Sequence, residues 1–501
     1  MKRIILKSLA AAAVVLAGCT DLTEEQFGSL SPATYYRTEA EALSSVVGVY
    51  QQLSYVVDVG DPFRISEFGS DEFLVPGRAS GGWFDQSYID IMLHQVKPDN
   101  STTARAWKFI FQEIGTANAV LESLEGSPNR ANFPGVIAEA RALRAYGYFY
   151  AMDFWGNVPI FTDARVDPKN LPATNTRAEV FAFVEKEMLA ALPALPSKKR
   201  TTPAYYPRLT KEAVYSALAT LYLNAEVYTG TPKWTQALAM CDSVITSNAY
   251  SLETNTVDNF KATNEVNSRE IIFSFSVNPT RNAGANQFML YAQPALDKQR
   301  YNLPFTPANG YSTYQVALDR YENADRRKSL LQYGPQTYAN GQPLVDAQGV
   351  QLNLVPVRDY VSAQDNEGYR VLKYVPEGVT WSGYNADNDL VLLRYADILL
   401  MKAEALFRTG NTAAALPLVN QVRTRSNASP LGSLTLKNIE DERAREFIWE
   451  GHRRRDMIRF GSFFTDTWSF KNTQTPTWRG IYPIPTEQIT ANPNLKQNPN
   501  Y

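Results

Sequence analysis

The chain has little cysteine and little histidine, two of each among 501 residues. Two cysteines cannot build a disulfide framework. They also stand in unlike places, Cys19 at the end of a signal-like segment and Cys241 in a helical stretch. With only His94 and His452 present, a histidine-based metal site is not expected. Charge of one sign is lacking too: 49 Lys and Arg against 51 Asp and Glu leave a net charge of -2. That balance gives no electrostatic reason to expect nucleic acid, which normally demands a basic face, and no basic run is longer than Arg453, Arg454 and Arg455. The sequence contains no G-x-S-x-G elbow, H-E-x-x-H pair, P-loop or G-x-G-x-x-G turn, so no catalytic residue, cofactor or metal ligand is assigned. Cys241 reads as a thiol packed inside a helical hairpin rather than a nucleophile. His452 reads as a structural hydrogen-bonding group. Carboxylate pairs are not excluded this way, because glycoside hydrolysis needs only two acids ~5–9.5 Å apart and imposes no sequence spacing. Glu442, Glu446 and Glu450 share a helical face but alternate with arginines, which points to ion pairing on a helix surface or between helices.

What the chain does have begins at its N-terminus. Lys2, Arg3 and Lys7 precede an apolar run from Leu9 to Ala17, the pattern of a secretory signal peptide. Leu16-Ala17-Gly18-Cys19 resembles a bacterial lipobox. The expectation is a signal peptide over 1–18, lipid attachment at Cys19, a tether over 19–30 and one domain over 31–501. Acyl chains burying methylenes at ~0.8 kcal/mol each would hold such a chain on a bilayer.

Apolar residues in the body recur at helical spacing. Val136, Ala140, Leu143, Gly147, Tyr150 and Phe154 mark one face of a helix, with Gly147 leaving room for a neighbour's backbone. Ala213, Ala217, Leu221, Ala225 and Tyr228 mark a second, ended by Gly230 and Pro232 and followed by a helix from Trp234 to Ile245. A third pair spans Arg394 to Arg408 and continues to about Arg425. Pro417 places the start of that last helix later than Thr412, because an interior proline costs ~3 kcal/mol. The fold class expected is mainly α, with helical pairs of tetratricopeptide type, long irregular loops and a few short strands such as Glu270 to Val277. The loops, Arg64 to Asn100, Asn278 to Tyr314 and Gln332 to Asp389, are long enough to be functional.

Aromatic residues make up 12% of the chain and sort by context. Trp107, Trp155, Trp234 and Trp449 fall in or against helices and are expected in the core. Trp83 follows Gly81-Gly82 and precedes Phe84-Asp85-Gln86. A ring on such a loop suits stacking on the C–H face of a sugar, with nearby carboxylates and amides holding the hydroxyls. The alternative is a loop aromatic folded back into the core.

Four segments together resemble the SusD/RagB family of outer-membrane nutrient-binding lipoproteins. They are Arg141 to Ile160, Leu393 to Leu406, Glu442 to Gly461, and the C-terminal run from Tyr482 to Tyr501. The resemblance implies a helical scaffold with an irregular ligand-binding loop region, anchored to the outer membrane and facing the cell surface. It also implies glycan capture without cleavage and delivery to a partner TonB-dependent transporter of the SusC type, with a minority of members handling peptides. Ligand contacts vary within that family, so the candidates follow from location: Trp83, Tyr291 and Tyr311 for stacking, Asp71, Arg78 and Asn286 for hydrogen bonds. A glycan-active enzyme using loop carboxylates and a helical-repeat scaffold binding a peptide or protein are the competing readings.

Overall fold

A computed structural model describes residues 36–198, 205–262, 264, 268–278 and 286–501. Cys19, the signal segment and the tether lie outside the described residues. Ten longer helices carry the scaffold. They are α1 (Glu39–Leu53), α2 (Ser101–Glu125), α3 (Pro134–Trp155), α4 (Arg177–Ala191), α5 (Lys211–Leu223), α6 (Trp234–Thr246), α7 (Tyr395–Arg408), α8 (Thr412–Arg425), α9 (Leu436–Glu446) and α10 (Arg453–Phe460). Side chains that satisfy orphan amides open many of them. Thr38 with Glu41, and Thr176 with Glu179, form reciprocal capping boxes at α1 and α4. Asn100 and Asn411 cap α2 and α8.

Successive helices pack as pairs, α2 on α3, α5 on α6 and α7 on α8, and α6 also lies against α7 so that the pairs stack. This is the helical-pair scaffold that the periodicity predicts. Every residue of α3 from Ala142 to Trp155 is buried, so this helix is enclosed on all sides. Gly147 does make room for a neighbour, but for a side chain and not a backbone. A Cβ there would meet Glu113 Oε2 and, at 2.8 Å, Ile114 Cγ1 of α2.

Two strands, β1 (Ile271–Phe275) and β2 (Leu390–Arg394), pair antiparallel, and β2 runs directly into α7. One apolar cluster reaches from Ala42 to Leu495 and includes both strands. A second unites the faces of α7, α8 and α9 through Leu399, Leu400, Val419, Val422 and Ile439.

Helix α8 corrects one expectation. It begins at Thr412 with Pro417 inside it. The Asn411 cap on Ala414 N–H (3.3 Å) and the buried stripe Ala415, Val419, Val422 outweigh the missing amide.

The acidic face of α9 is not on a surface; it is interior. Arg394 reaches Glu270 (2.9 Å), Glu446 (2.5 Å) and Glu450 (2.7 Å). Arg327 reaches Asp325, Glu442 and Glu446 at 2.7–2.8 Å. Burial would raise the Glu446 carboxyl, but Arg425, Arg394 and Arg327 together hold it well below the usual range. These pairs tie the helical half to the segment around residues 322–330. Cys241 is wholly buried, and that burial pushes its thiol far up, as expected of a packed side chain. His452 departs from expectation: its Nδ1 finds no hydrogen-bond partner, the ring lies 4.9 Å from that of Phe447, and burial lowers it to about 4.

Candidate functional site

The long loops meet one another, with backbone bridges from Leu74 to Ser312, Arg78 to Ala363 and Thr313 to Tyr369. The tip of the first loop is the turn Gly81, Gly82 and Trp83, three successive residues with positive φ (104°, 86° and 64°). Glycine takes that conformation without strain. A bulky tryptophan does so only where its surroundings impose it.

Three contacts impose it here. Trp83 Nε1 donates to Ala308 O (2.7 Å). Its ring meets Tyr291 edge-to-face at 5.4 Å and 79°, and Tyr311 at 5.6 Å and 61°. Gly310 lies directly against the six-membered ring, where any Cβ would collide. The tryptophan is therefore half-buried and fixed, with Tyr291 half-buried beside it.

Beside this platform runs a groove of about 580 Å³, walled by residues 78–81, 294–296, 307–309, 346–353 and 364–366. Ala308, the acceptor for Trp83, is part of its wall. Its polar groups are mainly carboxylates and amides, among them Asp346, Asn353, Asp365 and Asn366. Asp346 Oδ1 accepts from Gln348 and Val350 N–H (both 2.9 Å), which shapes its loop. Asp365 Oδ1 accepts from Ser80 Oγ (2.7 Å), joining two walls. Amides that donate and accept, beside carboxylates that accept, suit sugar hydroxyls, which do both.

Three of the six candidates, Tyr311, Asp71 and Asn286, are placed elsewhere than expected, and a fourth, Arg78, has its donors already used. Tyr311 is wholly buried among Phe68, Phe73 and Trp449, and its hydroxyl accepts from Arg64 Nε (3.1 Å). It supports the platform from below and has no free face. Asp71 is buried between Arg320 and Arg453. Burial alone would raise its carboxyl, yet the two guanidiniums hold it well below the usual range, so it is an ion-pair partner. Asn286 is buried, donating to Asn388 O (3.1 Å) and accepting from Phe288 N–H (3.3 Å), which fixes two loops together.

Arg78 does line the groove, but its donors are spent on carbonyls of Asn309 (2.7 Å), Gln364 (3.1 Å), Glu367 (2.7 Å) and Gly310 (3.4 Å), and on Ser312 Oγ (3.1 Å). It builds the wall instead of meeting a guest. Trp83 and Tyr291 alone of the six keep an accessible ring.

Sequence reasoning missed Asp346, Asn353, Asp365 and Asn366, although the segment from Gln332 to Asp389 was marked as functional. Outside the candidates lie further loop aromatics, the half-buried pair Phe305 and Trp381 (5.1 Å, 68°) and Tyr384, 49% exposed. The signal was there for two of them, since Trp381-Ser382-Gly383-Tyr384 is a glycine-bearing aromatic loop like that at Trp83.

A second cavity of about 300 Å³ lies elsewhere, against α1, between Leu43, Val47, Tyr50, Tyr206, Pro207 and Phe275. Tyr50 and Tyr206 hydroxyls are already bonded to Glu139 (2.7 Å) and Asp389 (2.5 Å), so it offers a polar guest little.

The model of the SusD family matches residues 245–501 of the chain, and a family model described as starch-binding associating with outer membrane matches residues 55–223. The chain is similar to the starch-binding protein SusD of Bacteroides thetaiotaomicron, 28% identical with 88% of this chain and 85% of that one covered. It is also similar to a SusD-like protein, P38, of Formosa agariphila, 26% identical with 97% and 96% covered. In three dimensions it resembles surface glycan-binding protein A of Bacteroides thetaiotaomicron, solved with laminarihexaose. The TM-score is 0.74 at 22% identity, covering 93% of this chain and all of that one. A SusD-like carbohydrate binding protein from Bacteroides fragilis gives a TM-score of 0.75 at 19% identity, covering 92% and 100%. Matched over its C-terminal half by that family's own model, the chain belongs to the SusD family.

Proposed function

We propose that this protein captures glycan chains at the outer-membrane surface without cleaving them, and passes them to a TonB-dependent transporter of the SusC type. The observation that carries this reading is Trp83, fixed edge-on to Tyr291 and hydrogen-bonded to Ala308 in the wall of a groove lined by carboxylates and amides. A rigid ring beside hydroxyl-binding groups recognises a sugar at little cost in ordering. The related proteins described as starch-binding and glycan-binding support the ligand class.

Anchoring rests on the lipobox resemblance at Cys19 and on the family description that mentions the outer membrane. Among the described residues no helix is long and apolar enough to cross a membrane. Capture rather than hydrolysis is favoured by where the perturbed carboxyls lie. Asp58, Glu67, Glu72, Glu113, Glu139 and Asp297 are raised by burial, and none of them lines the groove.

The test is to incubate the purified protein with a glycan panel and follow both binding and product release. Binding with no release, together with co-purification of a large barrel protein from membranes, is expected. Sustained release of shorter sugars would replace this reading with an enzyme.

A further inference from the structure

The charges around the groove are unevenly available. Asp365 is exposed and Asp346 half-buried on its walls, and among the described lining residues Arg78 is the one base. Arg78 is 5% exposed and its N–H groups are all directed at carbonyls and Ser312. Behind it Arg370, wholly buried, donates to Asn309 Oδ1 (2.6 Å), to Ser312 Oγ (2.9 Å) and to the carbonyl of Glu367 (3.2 Å). Neither guanidinium has a terminal N–H free to turn into the groove. Their positive charge sits behind a layer of carbonyl oxygens, whereas the two carboxylates stand at the face.

Resting on the reading of this groove as a glycan site, we infer that it selects uncharged glycans and rejects those bearing carboxylate or sulfate groups. A sugar hydroxyl donates to Asp346 or Asp365 and accepts from the amides of Asn353 or Asn366. A uronate or sulfate ester brings acceptors only. It gives up water, finds no charged donor, and lies beside carboxylates that repel it. A free guanidinium fork is the strongest side-chain partner for a carboxylate or sulfate group, and here both forks are consumed in joining residues 78, 309–312 and 364–370.

The experiment is calorimetry on the full mature chain with two panels of matched length. One is neutral (laminarin, starch and mannan fragments) and one acidic (alginate, polygalacturonate and carrageenan fragments). The second arm repeats it with Asp346→Asn plus Asp365→Asn. Asparagine keeps the oxygen that accepts from Gln348, Val350 and Ser80, so the loops retain their bonds, and an unchanged melting curve confirms it.

Binding of a neutral member, with acidic members at least about tenfold weaker, is expected, and the double variant should narrow that gap. Acidic glycans binding as tightly as neutral ones would overturn the inference and leave the capture reading intact. A gap unchanged in the double variant would overturn the role given to the two carboxylates. No binding from either panel would instead remove the capture reading itself.

Discussion

Replacing Gly310 with alanine adds one carbon and touches no ligand, yet it should cripple binding. The new Cβ would collide with the Trp83 indole, a ring pinned by Ala308 and wedged against two tyrosines. To admit the methyl, the ring must leave that seat. Two edge-to-face contacts at ~0.5–1.5 kcal/mol each and one hydrogen bond near ~1 kcal/mol then go. Their sum is about 2–4 kcal/mol in favour of the present position. If the variant ring is displaced by about 2 kcal/mol, about one molecule in thirty holds the platform ready, and apparent affinity falls about thirtyfold. Global stability should change less, because the tip is at the surface while Tyr311 beneath it keeps its bond to Arg64. The assay is isothermal calorimetry on Gly310→Ala and the parent with whichever glycan binds the parent best, beside urea unfolding of both. Equal affinities, within about a factor of three, in a folded variant would refute the fixed-ring argument.

Two further predictions concern the frame. Glu113 is wholly buried, neither of its carboxyl oxygens has a partner, and burial raises it well above the usual range, so it is protonated in the native state. A raised folded value gives stability that is present below the unfolded value near 4.5 and lost as pH rises. Glu113→Gln should therefore match the parent at pH 4 and gain on it, by at most about 1.4 kcal/mol per pH unit, as pH rises from about 4.5 toward the raised folded value. Urea midpoints measured from pH 4 to 8 check this, and parallel curves would contradict it. Arg394→Met leaves Glu270, Glu446 and Glu450 short of a shared buried partner, so a loss of about 3–5 kcal/mol in denaturant unfolding is expected. A loss under about 1 kcal/mol would mean that the interior ion pairs do not bind strand β2 to α9.

The scaffold was legible because helical burial is a local pattern: Ala213, Ala217 and Leu221 are spaced to face one way whatever lies opposite. Pro417 misled because a tertiary stripe can override a local penalty. The site was legible only in part. Trp83 stood out through Gly81-Gly82, which the positive φ values require. Tyr311 gave no local sign of burial, since Phe73 and Trp449, which enclose it, come from distant parts of the chain. Asp71 was misread for the same reason, as its partner Arg453 lies 382 residues away. The groove acids Asp346 and Asp365 sit in turns whose polarity is ordinary for loops, and only the fold brings them to one cleft.

The central claim is that a fixed tryptophan, bonded to the wall of this groove, holds a glycan. Calorimetry of the parent and Trp83→Ala with a binding glycan tests it most directly. The account predicts saturable binding by the parent, no product formed in the cell, and affinity at least tenfold weaker in the folded variant, as loss of about 1.4 kcal/mol or more of ring contact requires. A Trp83→Ala protein that binds as the parent does would contradict it.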